Sequence, residues 1–161
     1  MKALTQKMLK EIFSYNGKDL IWKKTGIGIS NGKVAGCVCS HSGYRRIKVN
    51  GSNYPAHRLV YIYHYGGDYH SGLQIDHINR KKSDNRIKNL RLVTNQENGF
   101  NRRGVKGYSW QKMHKKWGAR IMLDGVDRYL GYFDSEEEAH AAYLNAKPAY
   151  HTIPKRDVLA S

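Results

Sequence analysis

Asp76 and His77 are adjacent, and Asn85, Asn89 and Asn98 follow, the last of them 21 residues after His77. An aspartate carboxylate and an asparagine amide oxygen suit a hard divalent cation. Such an ion keeps several waters and takes one or two protein ligands beside a phosphate. A neutral histidine next to it can take a proton from water near neutral pH. In an extended segment Asp76 and His77 point to opposite sides, so one would face the ion and the other the water. The chemistry these types describe is a metal-assisted attack of water. The pair alone is equally compatible with a surface loop or a structural histidine.

Two further groups bear on it. His57 stands at the start of an expected helix, where it would orient the site, contact a phosphate or simply pack. Cys37 and Cys39 with His41 offer three zinc-capable side chains, one short of the four a structural zinc site takes. In an alternating strand Cys37 and Cys39 merely share a face.

The elements that must carry these residues are punctuated by turns. Asn16-Gly17, Asn50-Gly51 and Asp124-Gly125 each favour positive φ and predict three hairpins. Leu4, Met8, Leu9 and Ile12 have helical spacing, as do Leu59, Ile62 and Tyr63, whose helix Gly66-Gly67 would stop. The stretch from Asp76 to Asn98 is polar and loop-like, anchored by Ile87, Leu90, Leu92 and Val93. Strands are expected over 108–111, 117–123 and 128–133. A helix follows from Ser135, with Glu138 completing a capping box and Pro148 closing it. Its buried stripe would be Ala139, Ala142, Tyr143 and Ala146, small enough to lie close on a sheet.

Composition points to a partner. The chain has 161 residues and carries 28 Lys and Arg against 13 Asp and Glu, a net charge of +15, which calls for a polyanion. No acidic residue occurs from Leu20 to Gly67, a segment holding Lys23, Lys24, Lys33, Arg45, Arg46, Lys48 and Arg58. The acids collect at Asp134 and Glu136 to Glu138. Twelve tyrosines and three tryptophans among the basic residues could stack on bases. No apolar run is long enough to span a membrane, no signal peptide is visible, and two cysteines make no disulfide scaffold. The expectation is an intracellular nucleic-acid-binding protein.

The run Asp76-His77 … Asp84-Asn85-Arg86-(x)₂-Asn89-Leu90-Arg91 … Asn95-(x)₂-Asn98 resembles the HNH nuclease motif, in the His-Asn-Asn variant of phage homing endonucleases. Gly43-Tyr44, Ile47, Gly51, Tyr54 and Ala56 to Val60 resemble the upstream part of that family. The resemblance implies a ββα-metal unit around one divalent cation, Mg²⁺ or Mn²⁺. His77 would be the general base and Asp76 and Asn98 the metal ligands. Asn89 would hold the loop and the histidine through backbone bonds, with a minor role for Asn95. The implied activity is hydrolysis of DNA phosphodiesters in a homing or mobile-element role, in a bacterial cytoplasm if phage-encoded.

A second resemblance rests on Gly107-Tyr108-(x)-Trp110 … Trp117-(x)-Ala119-Arg120-Ile121 … Gly125 … Leu130-Gly131-(x)-Phe133-Asp134-(x)-Glu136-Glu137-(x)-Ala139-(x)₂-Ala142-Tyr143. This segment is similar to the DNA-binding domain of APETALA/ethylene-response factors, in which the sheet enters the major groove. By alternation Tyr108 and Trp110 fall inward, while Arg120 and Met122 point outward, as would Ser109, Gln111 and Tyr129. Arg120 and Gln111 suit guanine and adenine, and Lys112, Lys115, Lys116 and Arg128 suit phosphates. The expected fold is α+β: a nuclease domain over 1–103, β-rich over 1–67 with its core over 68–103, then a three-stranded sheet on one helix over 104–161. Double-stranded DNA is the expected partner and a monomer or weak dimer the expected state. The competing class is a DNA-binding regulator with a decayed nuclease motif.

Overall fold

The computed structural model describes residues 4–23, 31–66, 72–102 and 104–156. Gly67 of the expected helix stop and Arg103 of the expected basic linker lie outside them. The chain forms two compact units, one of residues 1–94 with 155–161 and one of residues 95–154. The sequence drew the division after residue 103; the segment from Asn95, which carries Asn98, groups with the second unit.

In the first unit Thr5 caps helix α1 (Gln6–Ile12) by accepting from the Met8 N–H, and Leu9 is its buried residue. Strands β1 (Phe13–Tyr15) and β2 (Leu20–Trp22) pair antiparallel. The Asn16-Gly17 expectation needs correcting in detail, because the link is not a two-residue turn. Asn16 Oδ1 accepts from the N–H groups of Lys18 and Asp19, an Asx turn that spreads the bend to Asp19. A second sheet runs β3 (Cys37–Val38), β4 (Arg45–Val49), β5 (Ser52–Pro55). Its β4–β5 turn is Asn50-Gly51, both at positive φ, as the dipeptide predicts. Helix α2 (Ala56–Tyr65) follows Pro55 and ends at Gly66, whose φ of 68° suits only glycine comfortably.

The core of this unit is built from Leu9, Phe13, Leu20, Ile47, Leu59 and Val60, all at most 1 % exposed. Each such side chain contributes about 1.5–3 kcal/mol by leaving water. The stretch expected to be loop-like is instead a hairpin. Strand β6 (Gln74–His77) pairs antiparallel with β7 (Leu90–Val93), placing Asp76 opposite Arg91 and His77 opposite Leu90. Leu90 and Leu92 bury on the same core, which supplies the reason the strand forms. At the far end of the chain, Arg156 Nη1 donates to the Leu92 carbonyl at 3.0 Å.

In the second unit helix α3 (Asn95–Phe100) precedes an antiparallel sheet of β8 (Tyr108–Gln111), β9 (Lys116–Leu123) and β10 (Val126–Phe133). Helix α4 (Glu136–Tyr150) packs on it, with the Ser135–Glu138 capping box formed. Ala119 and Ile121 face the helix and are buried, as are Ala139 and Tyr143. Two expectations fail here. Pro148 does not close α4, because it falls in the last turn and forfeits a single backbone bond before the helix ends at Tyr150. Trp110 is 47 % exposed rather than inward, resting edge-on against Trp117 at the sheet margin.

Candidate active site

Strand β6 brings Asp76 and His77 to its end, both buried, at 9 % and 4 % exposure. The chain then leaves the sheet in a long loop and returns through a 3₁₀ turn, Ile87–Asn89, into β7. The loop is closed by its own side chains. Asn89 Oδ1 accepts from the Asn79 N–H at 3.0 Å, and Asn89 Nδ2 donates to Asn79 Oδ1 at 3.0 Å and to the Asp84 carbonyl at 2.8 Å. Backbone bonds run beside these, from Ile78 N–H to the Asn89 carbonyl and from Arg80 N–H to the His77 carbonyl, both at 2.9 Å. An asparagine suits this place because one planar amide both donates and accepts.

Asp84 is the second fastener. Its carboxylate accepts from Asn79 Nδ2 at 2.7 Å and from Arg86 Nε and Nη2 at 2.8 and 2.6 Å. The Arg86 guanidinium holds the carboxyl far below the usual aspartate range. From outside the loop, Tyr15 on β1 accepts from the Ile87 N–H at 3.0 Å.

Around His77 the partners are specific. Nε2 lies 3.2 Å from Asn85 Oδ1. The His57 ring stands edge-on at 5.0 Å, and Tyr44 lies 5.2 Å from His57 and 6.0 Å from His77. Lys82 Nζ sits 4.9 Å above Tyr44 and donates to the Ser42 carbonyl. Burial lowers the His77 pKa, and the Asn85 bond and the Asp76 and Asp84 charges pull back upward. The net direction is down, so the ring is neutral at pH 7 and able to accept a proton. Burial takes His57 further, down to about 3, with the neighbouring His77 and Arg58 acting in the same sense.

Among the described residues, the buried His57 Nδ1 and Asn85 Nδ2 have no hydrogen-bond partner. Each such atom costs about 1–3 kcal/mol, a sum a fold bears where placement matters more than stability.

Asp76 Oδ2 accepts from Arg91 Nε at 3.0 Å and Nη2 at 2.8 Å. A carboxylate has about four lone-pair sites and accepts from more than one partner. Its charge and hard oxygens fit a divalent ion of the Mg²⁺ type. The other expected ligand, Asn98, lies half-buried on α3 in the second unit. No cluster of three or more His, Cys, Asp or Glu able to hold a metal occurs among the described residues. Cys37 is exposed on β3 and Cys39 half-buried beyond it. Hydrogen bonds to Ser42 lower the Cys39 thiol.

Of the residues expected to meet DNA, all in the second unit, Gln111, Lys116, Arg120 and Tyr129 lie on the sheet face away from α4 and Lys112 and Lys115 at the β8–β9 turn, whereas Arg128, paired with the helix-facing Ile121, lies on the α4 side. Arg120 is exposed and ion-paired with Asp127 at 3.1 Å; Lys116 pairs with Asp134 at 2.9 Å. Gln111 Nε2 donates to Ser109 Oγ at 2.8 Å, and Arg128 lies 5.4 Å from the Tyr150 ring. Lys112 and Lys115 are exposed in the β8–β9 turn. Tyr129 is 58 % exposed and meets Tyr132 edge-to-face at 4.9 Å. The Arg120 and Lys116 pairs are exposed, worth about 0–1 kcal/mol, and exchange readily for another anion.

Sequence reasoning left several of the surrounding partners without a role. Asn85 and Asp84 stood in the quoted motif without a role, and Asn79, Arg91 and Tyr44 had none. Arg91 was findable, since recognising the β6–β7 hairpin puts it opposite Asp76.

Comparison with known proteins locates this arrangement. The family model described as HNH endonuclease matches residues 54–100. A protein of Acanthamoeba polyphaga mimivirus named Uncharacterized HNH endonuclease L560 is 30% identical over 93 residues, covering 54% of this chain and 48% of that one. The chain thus spans about half the length of this curated relative. A solved structure of DNA binding and cleavage by the HNH homing endonuclease I-HmuI aligns at 23% identity and a TM-score of 0.42, over 79% of this chain and 73% of the other. Asp76, His77, Asn89 and Asn98 all lie within the segment that matches the HNH endonuclease model.

Proposed function

We propose that the chain is a DNA endonuclease that hydrolyses phosphodiester bonds with one divalent cation, Mg²⁺ or Mn²⁺, and that it serves a homing or mobile element. The observation that carries this is the buried Asp76-His77 pair, held by a loop closed on itself, inside the segment that matches the HNH family. A decayed motif would have no reason to keep an aspartate and a neutral histidine together out of water.

Asp76 and Asn98 would hold the cation. When bound, such an ion supplies charge stabilisation at the scissile phosphate and its leaving oxygen. His77, neutral and fixed, takes a proton from the attacking water. Arg91, 2.8 Å from Asp76 Oδ2, keeps that carboxylate aimed. Asn89 and Asp84 hold the loop so that neither principal drifts. The ends would be a 3′-hydroxyl and a 5′-phosphate. One site per chain makes a nick the outcome for a monomer, and a double-strand break needs two chains or two visits. The exposed face carrying Gln111, Arg120 and Tyr129, with Lys112, Lys115, Lys116 and Arg128 at its margins, would position the duplex in the manner of an APETALA/ethylene-response-factor domain.

The test is supercoiled plasmid incubated with the full chain and Mg²⁺, Mn²⁺, Zn²⁺ or EDTA. Nicked or linear product with Mg²⁺ or Mn²⁺, and none with EDTA, is expected. Binding without product under every metal would leave a DNA-binding regulator instead.

A further inference from the structure

We infer that the exposed face of the β8–β9–β10 sheet carries a stacking site for unpaired nucleotides of a DNA strand, built from His114, Tyr132 and Tyr129. This rests on the reading of that face as the one that meets DNA, and it names the state of the DNA the face takes.

The site begins with an irregularity in β10. Tyr129 pairs with Arg120 but Gly131 with Ala119, so Leu130 is an extra residue, a β-bulge. Strict alternation would send Tyr129 and Tyr132 to opposite faces of the sheet. The bulge puts both on the face of Arg120, with Tyr132 opposite Gly118. Their rings meet edge-to-face at 4.9 Å, and the His114 ring, from the β8–β9 turn, lies 4.2 Å from that of Tyr132. Gly118 is the floor of the row: a Cβ there would come within 3.3 Å of the Tyr132 ring, so the missing side chain lets the ring lie over the sheet. Tyr129 and Tyr132 remain 58 % and 41 % exposed.

Charge selects what such a row takes. Arg120 is paired with Asp127 and Lys116 with Asp134, so acids balance the cations beside the rings. Lys112 and Lys115 stand exposed in the turn that carries His114, which gives the row a cationic end. A paired duplex buries its base faces in its own stack and shows only edges in its grooves. An unpaired nucleotide offers a free face to the rings and a phosphate to the lysines. Ring spacings of 4.2 and 4.9 Å leave no room for a base to slip between neighbours, so bases would lie along the row.

The experiment is a fluorescence-anisotropy series on the full chain in EDTA. Its probes are a single-stranded oligothymidylate, a blunt duplex of the same length, and that duplex with a short single-stranded gap. The single strand and the gapped duplex are expected to bind more tightly than the blunt one. Tyr132→Ala should weaken single-strand binding by about 5- to 150-fold, the loss of one base stack, and leave its salt slope unaltered. Lys112→Ala should instead flatten that slope by about 0.7. Tyr132→Phe, which keeps the ring, should bind as wild type does. Tighter binding of the blunt duplex would overturn the inference, as would unchanged single-strand binding by Tyr132→Ala. Should Tyr132→Ala fail to fold, Tyr129→Ala decides in its place. Self-association lost in Tyr132→Ala with DNA binding intact, read by sedimentation, would overturn it in favour of a contact between copies of the chain. If Arg120→Ala weakens duplex binding while Tyr132→Ala changes nothing, this inference falls alone. If neither variant changes binding to any probe, the reading of the face falls with it.

Discussion

His57 shows how a single side chain can be read through its proton. Its pKa falls to about 3 in the folded chain, mainly through burial, against an ordinary value near 6.5. Below about pH 6.5 the unfolded chain therefore binds a proton that the folded chain refuses. The contribution to stability is complete above that pH and is lost as pH falls toward 3, by up to about 1.4 kcal/mol per unit. Urea unfolding at pH 7, 6, 5 and 4 checks this, and His57→Phe should remove about one proton's worth of the slope. An unaltered slope would mean that His57 titrates freely. Which residues mattered was only partly legible at this scale. Asp76, His77, Asn89 and Asn98 stand out by type and spacing. Asn85, Asp84 and Asn79 do not, because loop polar residues follow no periodicity and their partners are fixed only when the loop closes.

At the level of elements, the sequence was clearest where structure is local. Asn50-Gly51 and Asp124-Gly125 turn as their φ preferences require, and Ser135 with Glu138 opens α4. The β6–β7 hairpin was hidden because residues 78–89 separate its strands. Each strand is only 4 residues long, too short to declare a period. What closes that separation is Asp84. Asp84→Ala should lower stability by about 1–3 kcal/mol through its lost charged bonds, and lower cleavage further by releasing the loop. Thermal melts and cleavage rates on one preparation would check both. A variant as stable and active as wild type would show that Asn89 closes the loop alone. Close approach matters equally in the second unit. Gly107 has φ of 72°, and a Cβ there would lie 2.1 Å from the Tyr143 ring. Gly107→Ala should lower stability by more than about 2 kcal/mol, read as a fall in Tm.

For the whole molecule the charge of +15 is the governing number, and it predicts binding that weakens steeply with salt. Lys112→Ala and Lys115→Ala, if each releases a phosphate, should each lower the log–log salt slope by about 0.9 without changing site choice. Arg120→Ala should act differently, costing about 1–3 kcal/mol of discrimination at one base position. Anisotropy titrations across salt, on a mapped site and a scrambled duplex, separate the two behaviours. Equal effects on both duplexes for Arg120→Ala would make it a phosphate contact. His77 at the end of β6 is the group on which the proposed DNA hydrolysis depends. The most direct measurement compares wild type and His77→Ala at equal concentration with Mg²⁺, following duplex cleavage and, in EDTA, duplex binding. The prediction is a loss of cleavage of about 10²–10⁴-fold with binding unchanged. Near-normal cleavage by the folded variant would contradict it.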